Sequence, residues 1–172
     1  MTLSLRFLKR LTGALVFSLI TVSAQAACRH DTVHLRGDWG EARFSVEVAD
    51  NASERAKGLM DRMSMPMGQG MLFVYHQTRP VSFWMRNTFI PLDIIYLDQN
   101  GTVVNIHHQA KPLDETPLPS ILPTRYVLEI NGGLAKALGM TVGSALRHPA
   151  VLQTQAAWPC HEDSEQSEKD AG

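Results

Sequence analysis

The sequence predicts a mainly β domain, a single β-sandwich or partly closed barrel. Three observations carry that prediction. Short runs of apolar residues, several alternating with polar ones, recur at close spacing between residues 32 and 147. An Asn100-Gly101 step separates two of these runs, the strongest short-range hairpin signal. Helical periodicity is confined to two brief stretches.

Taken in order, residues 32–36 and 43–48 read as strands. In the second, Phe44, Val46 and Val48 alternate with Arg43, Ser45 and Glu47, so one face is buried and the other is wet. Gly37-Asp38-Trp39-Gly40 supplies the turn between them. Asp50 is placed to cap a short helix near residues 51–60, on which Ala52, Ala56, Leu59 and Met60 form a narrow apolar stripe. Residues 61–70 read as a loop rich in Met and Gly. Strands follow at 71–75 and 81–86, then at 92–97 and 102–107 on either side of Asp98-Gln99-Asn100-Gly101. Pro112, Pro117, Pro119 and Pro123 keep residues 109–124 out of a sheet interior. Residues 125–130 form a further strand, residues 133–138 a helical turn ended by Gly139, and residues 145–147 a closing strand.

The composition bounds the function. The chain has 172 residues, 44% of them hydrophobic and 19% charged, which is enough apolar material for one real core. The net charge of -1 offers no basic excess for a phosphate backbone, so no nucleic-acid partner is expected. Arg6, Lys9 and Arg10 precede an apolar run from 11 to 22, and Ala24-Gln25-Ala26 follows with small residues at the two positions a signal peptidase reads. This order predicts a cleavable signal peptide over residues 1–26, a β domain over 27–152 and a polar, acidic, mobile tail over 153–172. The apolar run is short of the roughly 20 residues that span a bilayer. The expected location is therefore the periplasm, with no stable membrane span after cleavage. Cys28 and Cys160 lie near the two ends of the mature chain, and in an oxidising compartment they are disulfide candidates. The competing reading makes Cys28 a lipid-attachment site, but Gln25-Ala26-Ala27 lacks the aliphatic residue such a signal usually carries.

Chemistry points first to Phe83-Trp84-Met85-Arg86-Asn87-Thr88 and Ile90-Pro91-Leu92-Asp93. Side chains alternate along a strand, so Asp93 shares an apolar face with Ile95 and Leu97. A carboxylate there must be paired, hydrogen-bonded or wet, and Arg86, Asn87 and Thr88 are its expected partners. Glu129 repeats the oddity beside Val127. If both acids converge on one cleft, their environments can split their pKa values into an acid and a base; the alternative is that each ties down a corner of the fold. Trp84 and Arg86 share a strand face, which suits stacking on a sugar or flat ligand and equally an internal cation–π contact. Met63, Met65 and Met67 form a Met-x-Met-x-Met run with the soft thioethers that select Cu(I), although Met also fills gaps in cores. No cofactor is expected.

The ordered set Glu47-Val48-Ala49, Lys57-Gly58-Leu59-Met60, Gly70-Met71-Leu72-Phe73, Phe83-Trp84-Met85-Arg86-Asn87-Thr88, Ile90-Pro91-Leu92-Asp93-Ile94 and Arg125-Tyr126-Val127-Leu128-Glu129 resembles the prokaryotic family known as domain of unknown function 192. The resemblance covers about residues 33–146. It implies a compact β fold of jelly-roll character in proteins commonly exported or membrane-associated, and no established reaction, substrate or cofactor. The family tends to carry an acid after the glycine at 143, where this chain has Ser144. Three functions are therefore weighed: a periplasmic binding or accessory domain that holds a small polar ligand or envelope component in a cleft of Trp84, Arg86, Asn87, Thr88, Asp93 and Glu129; a hydrolase with Asp93 and Glu129 as acid and base; and a Cu(I)-binding protein using the methionine run.

Overall fold

A computed structural model describes residues 28–160. The expected signal peptide, and the acidic residues after Cys160, lie outside the described residues. The elements run β1 (Thr32–Gly37), β2 (Gly40–Ala49), α1 (Ala52–Lys57), β3 (Gln69–Arg79), β4 (Ser82–Phe83), β5 (Leu92–Leu97), β6 (Val103–Ala110), β7 (Leu118–Pro119), β8 (Thr124–Asn131), α2 (Leu134–Leu138) and β9 (Ala145–Arg147). Seven strands form one sheet in the order β6-β5-β8-β3-β2-β1-β9, and β4 pairs with β7 in a separate ribbon. Neighbours are antiparallel except β2 and β3, which run parallel and are linked through α1.

The sheet curls into a half-barrel, as the sequence predicts. Its two ends meet where Thr102 bridges Ala145, with Val103 N donating to Ser144 O and Leu146 N to Gly101 O, each at 2.8 Å. The turn that begins β6 is the predicted Asn-Gly turn. Asp98 Oδ1 accepts from Asn100 N and Thr102 N, and Gly101 takes φ +78°, a left-handed conformation natural to glycine.

Both faces of the sheet are covered, so β5 is buried at every position. Such a strand reads as a continuous apolar run because neither face meets water. The inner core holds Leu72, Ile95, Leu97, Tyr126, Leu128 and Ile130 with Val33, Leu35, Phe44 and Val46. The outer core holds Met71, Phe73, Leu92, Ile94, Tyr96 and Val127 under Val81, Met85 and Ile90. The β4–β7 ribbon sits over that outer face: Phe83 meets Phe73 edge-to-face at 5.0 Å and Tyr96 at 6.0 Å, and Tyr96 Oη donates to Leu118 O at 2.7 Å.

Four local expectations change. Only Ser82–Phe83 of the predicted strand 81–86 is a strand, because the chain then turns: Met85 N donates to Asp114 O and Thr88 N to Met85 O. Trp84 and Arg86 therefore stand on a loop. The cap of α1 is Asn51, whose side chain accepts from Glu54 N at 3.0 Å, rather than Asp50. The helix buries none of its residues, so its expected apolar stripe fails and only Leu59, beyond the helix, enters the core. The packed domain also continues past residue 152. Trp158 is buried between the guanidinium groups of Arg36 and Arg147, 4.2 and 4.4 Å from its ring. The expected disulfide joins Cys28 to Cys160 across a separation of 132 residues. Among the described residues no helix is long and apolar enough to cross a membrane.

Candidate functional site

The two acids singled out by the sequence lie on opposite faces of the sheet. Directly opposed residues of an antiparallel pair point to the same side. Asp93 opposes Ile130, whereas Glu129 opposes Ile94. Asp93 thus faces inward with Ile130, and Glu129 faces the outer core with Ile94.

Asp93 is fully buried and fully engaged. Its Oδ1 accepts from Gln109 N at 2.8 Å and Gly133 N at 2.9 Å, and its Oδ2 accepts from Ala135 N at 2.7 Å. These contacts pin the irregular end of β6 and supply the N-terminal cap of α2, whose own Gly133 offers no side chain. His108 Nδ1 is 3.9 Å away, beyond hydrogen-bonding distance. Arg86, Asn87 and Thr88 do not satisfy this carboxylate; backbone amides do. Asp93 is a structural clamp.

Glu129 is in the opposite situation. It is 4% exposed, and its carboxyl group makes no hydrogen bond to the described residues. Burial pushes its pKa up from the ordinary 4.5 to about 8, because removing a charge from water disfavours the ionised form. The group is therefore mainly a neutral carboxylic acid at neutral pH.

Glu129 lines a cleft of about 390 Å³ together with Arg55, Tyr75, Phe83, Trp84, Arg86 and Thr88. That volume lies in the range of small-molecule sites, roughly 300–1,000 Å³. The walls follow from the local chain. On β3, Phe73 and Tyr75 fall on the same face as Met71, which opposes Glu129. At the end of α1, Gly58 takes φ +49° and turns the chain along the cleft; an added Cβ there would meet the Phe73 ring at 3.3 Å. From the loop after β4 come Trp84, 47% exposed, and Arg86, whose guanidinium carbon is 5.2 Å from the Trp84 ring centre. The cation–π reading of this pair thus holds, and Trp84 remains exposed.

The positive groups of the cleft differ in what they already hold. Lys57 pairs with Asp61. Arg55 donates from Nη1 to Asp50 O and Val74 O, leaving Nε and Nη2 without a partner among the described residues. Arg86 has no ion-pair partner among them. Tyr75 is mostly buried, and burial raises its pKa despite the nearby Arg55 and Arg79.

Of the predicted ligand contacts, Trp84, Arg86, Thr88 and Glu129 come together. Asn87 does not: it sits at φ +52° and its carbonyl accepts from Asp61 N. Arg55 and Tyr75 complete the site and were not predicted. Tyr75 was within reach of strand alternation, whereas Arg55 sits on an exposed helix with no periodic signal. The methionine run also separates. Met65 is buried in the outer core, while Met63 and Met67 are 79% and 60% exposed. Asn131 Nδ2 holds the Met65 and Pro66 carbonyls at 3.1 Å. Three thioethers so divided do not make one ligand set. Ser144, where the resemblance leads to an acid, accepts from Trp39 Nε1 at 2.8 Å and donates to Thr141 O at 2.7 Å.

The fold is shared with solved structures. A protein of unknown function from Novosphingobium aromaticivorans is 46% identical, with a TM-score of 0.66 over 67% of this chain and 82% of that one. A protein proposed to be a transcription regulator from Sinorhizobium meliloti is 39% identical, with a TM-score of 0.66 over 72% of this chain and 96% of that one. Among curated proteins no match is found. The family model for DUF192, described as "Uncharacterized ACR", matches residues 33–148, and the chain belongs to that family.

Proposed function

We propose that this domain works in the periplasm as a binding or accessory module, holding a small polar ligand in the cleft of Trp84, Arg86, Thr88 and Glu129. One observation carries the reading: Glu129 is a buried carboxyl group with no hydrogen bond from the fold, at the wall of an open cleft. The fully enclosed side-chain atoms without a hydrogen bond are Arg125 Nε and Arg147 Nε among the described residues, so the Glu129 oxygens open onto the cleft, where a partner from outside the fold can reach them. A ligand that exchanges hydrogen bonds with Glu129 supplies the missing partner, and Trp84 gives it an exposed aromatic surface. The periplasmic address is supported by the Cys28–Cys160 disulfide and by the secretory pattern of residues 1–26. A hydrolase built on Asp93 and Glu129 draws no support, because the two carboxyl groups point to opposite faces.

The test is a thermal-shift measurement on the exported protein with the small-molecule fraction of an envelope extract. Linkage predicts a rise in melting temperature that Glu129→Gln and Trp84→Ala each reduce. A rise that both variants retain in full, or no rise at all, overturns the reading.

A further inference from the structure

Four features of the cleft constrain the ligand further, and this inference rests on the binding reading above. First, its charged groups are predominantly cationic: Arg55, Lys57 and Arg86 against the single acid Glu129. Lys57 is neutralised by Asp61, whereas neither Arg55 nor Arg86 faces a carboxylate among the described residues. Second, the acid does not cancel that charge at neutral pH, since burial keeps it protonated. Third, Trp84 is an exposed residue whose indole packs beside the Arg86 guanidinium. A ring laid on the indole therefore brings its substituents within reach of a cation. Fourth, the wall beyond is a protonated carboxyl group, which both donates and accepts hydrogen bonds, next to Tyr75, whose hydroxyl makes no hydrogen bond to the described residues.

We propose that the cleft takes an anionic sugar: a pyranose ring stacked on Trp84, its carboxylate or phosphate held by Arg86 and Arg55, and its hydroxyls on Glu129 and Tyr75. Each part of that ligand has one counterpart. A guanidinium fork matches a carboxylate or phosphate bidentately. The aromatic face takes the apolar face of a sugar ring. The cleft volume of about 390 Å³ holds one or two such rings. A neutral sugar leaves the Arg86 guanidinium and the Nε and Nη2 donors of Arg55 without an anion to meet, and a bare anion leaves the indole and Glu129 unused.

Isothermal titration of the purified exported protein, near neutral pH, tests this with four probes: glucuronate, glucose 6-phosphate, glucose and acetate. At least one of the two anionic sugars is expected to bind tenfold or more tighter than glucose and than acetate; which one identifies the acid group. Arg86→Gln, a change at an exposed position, is expected to bring that sugar to within about threefold of glucose. Arg86→Lys is expected to restore part of the difference, since it keeps the charge without the fork. Equal binding of glucose and both anionic sugars, with Glu129→Gln weakening all three, overturns the anion assignment and leaves the polar-ligand cleft standing. Acetate binding as tightly as the sugars overturns the ring. Absence of binding by all three sugars overturns the sugar assignment; the envelope-extract experiment then decides separately whether the cleft binds at all.

Discussion

Replacing Glu129 by Gln isolates a buried acid that receives no hydrogen bond from the described residues, and its effect on stability has a definite sign. Below pH 4.5 the carboxyl group is protonated in both folded and unfolded chains. Between 4.5 and about 8 the unfolded chain releases the proton while the folded chain keeps it. The folded state then binds more protons, so stability falls as pH rises. The stabilisation present at acid pH is lost progressively up to about pH 8 and changes no further above it. At about 1.4 kcal/mol per pH unit, the full window corresponds to about 5 kcal/mol. Water reaching the carboxyl group through the open cleft reduces this, so it is an upper bound. Gln does not titrate. The difference in stability between Glu129→Gln and wild type is therefore expected to move in the variant's favour by about 2–3 kcal/mol from acid to neutral pH.

Denaturant melts of both proteins at matched pH values provide the assay, because every acid common to both cancels in the difference. His148 cancels in the same way. It is buried, with Ala150 N donating to its Nδ1, and burial lowers its pKa. Its contribution runs the opposite way, with stability lost as pH falls below its ordinary 6.5, and it is the same in both proteins. Stability profiles that stay parallel to within about 0.5 kcal/mol refute the claim that burial holds Glu129 protonated.

The remaining predictions concern what holds the fold. Asp93→Ala leaves three backbone N–H groups without acceptors and is expected to destabilise by about 3–5 kcal/mol; a shift in urea midpoint with unchanged m-value checks it, and a loss under about 1 kcal/mol contradicts the clamp. Reducing the disulfide, or replacing Cys28 and Cys160 together by Ser, removes a constraint on 132 residues and is expected to lower stability by about 4–5 kcal/mol in the chain-entropy treatment. Calorimetry with and without reductant measures that loss, and identical melting temperatures contradict it.

Much of the architecture was legible in residues that obey a local rule. Phe44 and Val46 alternate with exposed neighbours, and both are buried. The Asn100-Gly101 turn delivers β5 to β6. The continuous apolar run from Leu92 to Leu97 announces a strand covered on both sides. Alternation also flagged Asp93 and Glu129 as acids on apolar strand faces. What it could not supply is which face of the shared sheet each one occupies. That parity depends on the β5–β8 register, in which Asp93 opposes Ile130, and register between strands about 30 residues apart is not a local property. Trp84 and Arg86 were legible as a pair, yet not as a loop, because the bond that bends the chain there runs from Met85 to the distant Asp114.

The contrast between the two acids is itself an argument about function. Asp93 shows that this sheet can house a carboxylate at full burial, with three amides aimed at it from two segments. Glu129, on the next strand, receives no such provision, although its neighbours on that face, Met71, Ile94 and Val127, are apolar. A leucine or methionine there would continue the outer core and remove the penalty that ionisation of Glu129 imposes as pH rises. A fold that leaves such a conflict standing does so at positions that serve something other than stability. The conflict sits on a cleft that Arg55 and Arg86 also line, neither of them ion-paired among the described residues, beside the exposed Trp84. Hydrogen bonds brought in by a ligand would resolve it without any change in the protein.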